Sequence, residues 1–326
     1  MDQHFQDIIL QSTGAKSLYE IEVIQSLWSG YGEIVRFGLE GCELESVVVK
    51  HVNLPEGGNH PRGWNTDLSH QRKLKSYKVE TEWYKSFNAK CDNDCKTPQC
   101  YALQTKGSEV LMVFEDLDST GFEKRLSSSV NWGNIDACMC WLASFHATFM
   151  GVKPQGLWET GTYWHLETRP EELEAMDDLQ LKNAAKIIDE KLSASPFQTL
   201  VHGDAKLANF CFSNDGKKVA AVDFQYVGAG CGMKDLAYFI GSCMSENDCE
   251  KYEDKLLDIY FSELREALQQ KNSNIDSNAI EADWRNLYHV AWADFNRFLK
   301  GWHPGHWKIN SYSERVSREV IDKLSL

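Results

Sequence analysis

Short runs rich in β-branched residues mark the first part of the chain, and apolar residues at helical intervals mark the rest. Residues 1–26 alternate short apolar and polar segments, which predicts one or two helices leading into a sheet. In residues 23–40, VIQSLWSGYGEIVRFGLE, apolar stretches flank Ser29-Gly30-Tyr31-Gly32, a glycine-rich hairpin turn. Residues 45–52, ESVVVKHV, read as a strand carrying Lys50. A polar loop over residues 53–69, with Pro55, Gly57, Gly58, Pro61 and Gly63, separates it from a helix over residues 71–87, where Leu74, Tyr77, Trp83, Tyr84 and Phe87 recur at helical spacing. Residues 110–118, VLMVFEDLD, form an apolar strand running into Glu115-Asp116-Leu117.

Beyond that strand the pattern turns helical. Residues 134–150 are apolar nearly all round and predict a buried helix, with His146 as a core histidine. A loop over 151–170 leads to an amphipathic helix over 171–193. Two apolar runs, 200–201 and 219–222, each end in a polar cluster containing Asp, and Asn214-Asp215-Gly216 between them is a turn signal. A hairpin there brings Asp204 and Asn209 toward Asp223. Gly228, Gly230 and Gly232 predict a flexible turn, after which Asp235 is placed to cap a helix. Residues 251–270 read as a further amphipathic helix. In residues 283–312, Trp284, Tyr288, Trp292 and Phe295 follow helical steps, so that one face is aromatic and most of it is core.

Composition narrows the class. At 326 residues, with 42% hydrophobic and 12% aromatic content, the chain can build one large or two modest cores. A formal charge of −14 argues against a nucleic-acid surface. No apolar stretch reaches the ~20 residues of a membrane span, and the N-terminus shows no signal peptide. Ten cysteines are too sparse for a disulfide scaffold and suit a reduced, cytoplasmic protein. Cys91, Cys95 and Cys100 lack the paired spacing of a zinc site.

The chemistry is concentrated in residues 200–225, LVHGDAKLANFCFSNDGKKVAAVDFQ. Phosphoryl transfer from a nucleotide needs a carboxylate to orient the attacking hydroxyl and oxygen ligands for magnesium on the phosphates. Asp204 and Asn209 have the Asp-x-x-x-x-Asn spacing of a kinase catalytic loop, and Asp223 follows fourteen residues after Asn209 in the place of a metal-binding aspartate. His202-Gly203-Asp204, Asn209 and Asp223-Phe224-Gln225 together resemble the aminoglycoside phosphotransferase and choline kinase superfamily, and the Asp-Phe-Gln form is most similar to its ecdysteroid-kinase-like branch.

The resemblance implies an α+β, two-lobe protein kinase-like fold, with a small β-rich nucleotide-binding lobe over residues 1–114 and a larger helical lobe over 115–326 that holds the catalytic loop and the acceptor. It implies an ATP- and Mg2+-dependent transfer of the γ-phosphoryl group to a hydroxyl of a small molecule. Asp204 would be the catalytic base and Lys206 its charge-balancing neighbour, with Asn209 and Asp223 on the metal. Lys50, paired with Glu80, would grip the phosphates under the turn of Gly30 and Gly32, and the backbone of Glu115 and Leu117 would bind adenine. Late helices would supply the acceptor wall, and Asp235 would also buttress the catalytic loop. An aminoglycoside, a choline-like amine and a lipophilic alcohol all stay open as acceptors, as do ATP against GTP, the oligomeric state, and a silent pseudokinase or interaction protein in place of an enzyme. Gln225 in place of glycine, and the absence of an Ala-Pro-Glu element, favour a small-molecule over a protein substrate.

Overall fold

The β-branched runs pair into an antiparallel sheet of β1 (Ser17–Ser26), β2 (Gly32–Glu40), β3 (Ser46–Asn53), β4 (Cys100–Lys106) and β5 (Glu109–Glu115), in the order β1-β2-β3-β5-β4. The computed structural model describes residues 3–27, 30–53, 67–127, 130–271 and 273–324; Ser29 of the glycine-rich turn and residues 54–66 of the polar loop lie outside them. Helix α1 (Gln3–Thr13) lays Phe5 and Ile9 on one face of the sheet, against Val35, Phe37, Val47, Val49, Leu111 and Val113. Strand β1 occupies residues where the sequence allowed a second helix. It is an edge strand whose Tyr19, Ile21, Val23 and Ile24 stay exposed, so it shows little of the burial alternation that marks β2 and β3.

Helix α2 (Asp67–Ser86) buries Tyr77, Val79, Trp83 and Tyr84. Trp83 stacks on Phe224 with ring centroids 4.4 Å apart, so one continuous core joins α2 and β5 to the helices that follow. Those are α3 (Trp132–Thr148), α4 (Pro170–Ala175), α5 (Leu179–Ser193), α6 (Met233–Cys243), α7 (Glu246–Gln270), α8 (Ser277–Trp302) and α9 (Ser311–Lys323). The single amphipathic helix expected over 171–193 is therefore two. The Asp178 side chain accepts from Leu181 N–H and starts α5 afresh, and Asp178 also binds Lys300 and Arg318. Among the described residues no helix is long and apolar enough to cross a membrane.

Short strands place the polar loops. Here β7 (Thr199–Val201) pairs with β10 (Gly228–Gly230), while β8 (Phe210–Phe212) pairs with β9 (Val219–Ala221) and with β6 (Lys124–Arg125). The turn of Asn214-Asp215-Gly216 thus joins β8 to β9, and the run at 200–201 is not the hairpin's first arm. Nor are the glycines at 228–230 a flexible turn. They form β10, and a Cβ at Gly228 would lie 2.2 Å from the Trp158 carbonyl oxygen, so glycine is what lets the two chains approach.

Candidate active site

The loop after β7 carries Asp204. Its Oδ1 accepts from Tyr238 Oη at 3.0 Å, and its Oδ2 from Lys206 Nζ at 2.9 Å and Asn209 Nδ2 at 3.1 Å. Asn209 Nδ2 also donates to the Asp204 carbonyl at 2.8 Å, which fixes the separation of the two side chains. Gly203 has φ 79°, and a Cβ there would sit 2.1 Å from the Tyr226 carbonyl oxygen. His202 Nδ1 accepts from Asp204 N–H at 3.2 Å, so Nε2 carries the ring proton and donates it to the Val222 carbonyl at 3.0 Å. One buried imidazole thereby ties the Asp204 loop to the strand end that presents Asp223.

Asp235 does not cap α6: the residue before the helix is Gly232, with no side-chain bond. Its carboxylate, wholly buried, accepts from His202 N–H at 2.5 Å and Gly203 N–H at 2.9 Å, with His146 Nε2 at 3.2 Å. The pull of those two loop amides and of His146 outweighs a cap on its own helix.

Across the cleft, Lys50 Nζ lies 2.8 and 2.7 Å from the two oxygens of Glu80, both residues buried. Asp223 takes the left-handed φ of 70°, uncommon for a non-glycine residue, and its Oδ1 is buried without a hydrogen-bond partner. Burial alone would raise the Asp223 carboxyl, but Lys50, Lys73 and Lys206 together hold it below the usual aspartate range. Asp204 goes the other way: burial raises its carboxyl, Asp223 adds to the rise, and Lys206 only partly offsets it. The two aspartates are thus pushed apart, one toward a proton acceptor and one toward a permanent anion.

Asp204, Lys206, Asn209, Asp223, Lys50, Glu80, Glu115 and Leu117 line one cleft of about 1280 Å³. Gly30 and Gly32 are not among its lining residues; their neighbours Leu27 and Tyr31 are. Gly32 is forced to be glycine, since a Cβ there would lie 1.9 Å from the His51 carbonyl oxygen. At the linker the Glu115 side chain holds Lys96 at 2.7 Å and accepts from Gln99 N–H at 3.0 Å. Its backbone N–H donates to the Gln99 carbonyl at 2.8 Å, and the Leu117 carbonyl accepts from Phe122 N–H at 2.8 Å. Arg36 of β2 braces this segment through Asp116, at 2.8 Å, and Asp118.

The far end of the cleft is aromatic. Trp284, Tyr288 and Trp292 of α8 are core, whereas Phe295, Phe298 and Trp302 line the cleft with Tyr163, Tyr226, Tyr238 and Trp307. Trp302 and Trp307 are 37% and 63% exposed. The cleft residues outside the sequence motifs include the cations Arg72, Lys73, Arg169 and Lys308. Lys73 donates to Gln225 Oε1 at 2.9 Å, and burial pushes its ammonium down to about 8. The helical period places Lys73, two turns before Glu80, on the same face of α2, so that signal exists in the sequence. Arg169 and Lys308 sit in connecting segments where no periodicity speaks for them.

The sequence pattern of the ecdysteroid kinase-like family matches residues 155–273, the part that carries Asp204, Asn209 and Asp223. No curated protein sequence matches the chain. Among solved structures, an ethanolamine kinase from Plasmodium vivax is similar with a TM-score of 0.52 at 11% identity, over 93% of this chain and 82% of that one. A choline kinase from Streptococcus pneumoniae aligns over 99% of both chains at 14% identity, with a TM-score of 0.48. The resemblance read from the motifs holds: the chain has the two-lobe protein kinase-like fold, and over residues 155–273 it matches the ecdysteroid kinase-like family.

Proposed function

We propose that the protein is an ATP- and Mg2+-dependent phosphotransferase that moves the γ-phosphoryl group to a hydroxyl of a small lipophilic alcohol. The observation that carries this reading is the convergence of a raised Asp204, whose carboxylate accepts three hydrogen bonds, and a lowered Asp223 with an orphaned Oδ1, opposite the Lys50–Glu80 pair. The domain boundary goes with it: residues 1–114 bind nucleotide and 115–326 hold the catalytic loop and acceptor, Glu115–Asp118 being the connector. The Glu115 carbonyl and Leu117 N–H would bind an adenine edge, while the Glu115 N–H and the Leu117 carbonyl are engaged with Gln99 and Phe122.

The donor set fits magnesium, which is held by few hard oxygen ligands and keeps waters. Asp223 Oδ1 and the Asn209 amide oxygen, whose own nitrogen is committed to Asp204, would hold it. When bound, it would neutralise charge on the phosphate oxygens. Lys50, fixed by Glu80, grips the phosphates from the sheet side. Asp204 aligns the acceptor hydroxyl and takes its proton as the new oxygen–phosphorus bond forms and ADP leaves. Lys206, 2.9 Å from Asp204, balances the charge that develops beside it.

The wall supports this acceptor class. Beyond Asp204 the aromatic end carries no carboxylate among the described lining residues, while it does carry Arg169 and Lys308. A polycationic aminoglycoside or a quaternary amine would meet like charge there, and a flat lipophilic alcohol would not. Ten cysteines without a disulfide among them support a reducing compartment such as the cytoplasm.

The test is ATP turnover with a panel of alcohols and amines, repeated with Asp204→Asn. A fall of about a hundredfold or more in kcat with nucleotide binding retained is expected. Tight ATP binding without turnover of any acceptor would overturn the enzyme reading.

A further inference from the structure

Three lysines are buried among the described residues: Lys50, Lys234 and Lys308. Lys50 has Glu80 at 2.7 Å and Lys234 has Asp294 at 3.6 Å. Lys308 has no carboxylate within ion-pair distance among the described residues, although it is only 9% exposed. Its ammonium lies instead over aromatic faces, 4.7 Å from the Tyr238 ring centre, 5.4 Å from that of Phe295 and 5.6 Å from that of Trp307. Tyr238 is the residue whose hydroxyl holds Asp204 Oδ1.

A buried cation is costly unless an anion meets it, and aromatic faces offset only part of that cost. The cost shows in Lys308 itself, which burial pushes down to about 8. The backbone that carries it is nevertheless held in place. Lys308 N–H donates to His306 Nδ1 at 3.2 Å, and its carbonyl accepts from Ser313 Oγ at 3.1 Å, so the loop between α8 and α9 is anchored on both sides of it. Lys308 lines the cleft at its aromatic end, where Arg169 stands on the other side of the same wall, 5.2 Å from the Phe298 ring centre. Arg169 is already paired with Glu172 at 3.0 Å, whereas Lys308 has no carboxylate in ion-pair distance among the described residues and feels the Asp204 charge only from further off.

We infer that Lys308 is an acceptor-binding residue whose missing partner is an oxyanion of the substrate, so that the preferred acceptor is a flat, lipophilic alcohol carrying a carboxylate. The inference rests on the reading of the aromatic end as the acceptor site. The carboxylate would sit against Tyr238, Phe295 and Trp307 while the hydroxyl reaches Asp204, and the distance between Lys308 and the catalytic loop then selects which hydroxyl is presented.

The test compares a hydroxymethyl-naphthoic acid with the corresponding naphthalenemethanol, each titrated calorimetrically into the full chain and each assayed for ATP-dependent phosphorylation. Wild type should bind the acid tighter by a factor of about ten or more, as expected for a charge-assisted hydrogen bond. Lys308→Met should bring the ratio of the two affinities close to one, and Lys308→Arg should keep the preference. An equal affinity of wild type for both compounds, no binding of either, or an undiminished preference in Lys308→Met would overturn the inference. So would Lys308→Met weakening ATP with no change in the acid-to-alcohol ratio, which would place the lysine on the phosphates. The two readings fail separately. A binding preference without phosphorylation of either compound removes the transferase reading and keeps the subsite, whereas phosphorylation without preference does the reverse.

Discussion

Asp204 and Asp223 have the same side chain and opposite titration, and the difference comes from which charges face them. Asp204 has Lys206 beside it but also Asp223, whereas Asp223 faces Lys50, Lys73 and Lys206. A base must be ionised to work, so its raised pKa means that activity falls as the pH drops through a value above the ordinary aspartate pKa of about 3.9. A kcat/KM profile should therefore show its acid limb above that value, and a limb at or below it would contradict the assignment of Asp204. Removing Lys206 should move the limb further up, because a favourable charge is lost. Gly203 is a second residue-scale case. With φ 79° and a Cβ position 2.1 Å from the Tyr226 carbonyl, Gly203→Ala should displace the Asp204 loop and lower the thermal midpoint, which a melting curve reads directly. Which residues carry the motifs was legible, because Asp-x-x-x-x-Asn and Asp-Phe-Gln fix type and spacing together. Lys308 was not. A lysine in a loop beside Trp307 looks solvated, and only the tertiary approach of Tyr238 on α6 and Phe295 on α8 buries it.

At the scale of elements, α8 splits by depth along its own length. Trp284 near its start is wholly buried and donates Nε1–H to the Phe197 carbonyl at 3.0 Å, while Trp302 at its end faces the cleft. Trp284→Ala should cost about 3–5 kcal/mol of stability in denaturant unfolding. Trp307→Ala, in the loop beyond, should leave the midpoint within about 0.5 kcal/mol and weaken acceptor binding. Equal effects of the two on stability would reject the division into core and wall. The periodicity of α8 announces an aromatic face but not where that face leaves the core, which depends on what packs opposite each turn. The break between α4 and α5 is a similar case. Burial would raise the Asp178 carboxyl, but Arg318, Lys300 and Leu181 N–H hold it well below the usual range. A carboxyl with a depressed folded pKa stabilises above its unfolded pKa, so that part of its effect is complete near neutrality and fades as the pH falls below about 4. Asp178→Ala should cost ~1 kcal/mol or more at pH 7. The difference from wild type should shrink in acid, and a difference that grows there would refute the pairing. The misplaced arm of the hairpin has a plain cause as well: Leu200–Val201 and Phe210–Phe212 are both short apolar runs before polar residues, and pairing partners are set by tertiary contacts that periodicity does not carry.

The whole molecule is a five-stranded sheet and a helical body sharing one core, with a cleft where the linker, α2 and the β7–β10 loops meet. That layout was readable, because most β-branched runs fall in the first part of the chain and most helical ones after it. The cleft's charge balance was not, since a formal charge of −14 for the chain says nothing of an aromatic end lined by Arg169 and Lys308. The proposed phosphate and acceptor ends are joined through Tyr238, which touches Asp204 on one side and carries Lys308 over its ring on the other. The account's central claim is that Asp204 activates an acceptor hydroxyl for attack on the γ-phosphoryl group of ATP. Mass spectrometry of a lipophilic alcohol incubated with the protein, Mg2+ and ATP labelled with heavy oxygen on the γ-phosphoryl group tests it most directly. The labelled phosphate ester should form with wild type and be at least about a hundredfold slower with Asp204→Asn at unchanged ATP affinity; equal rates of ester formation by the two proteins would contradict the account.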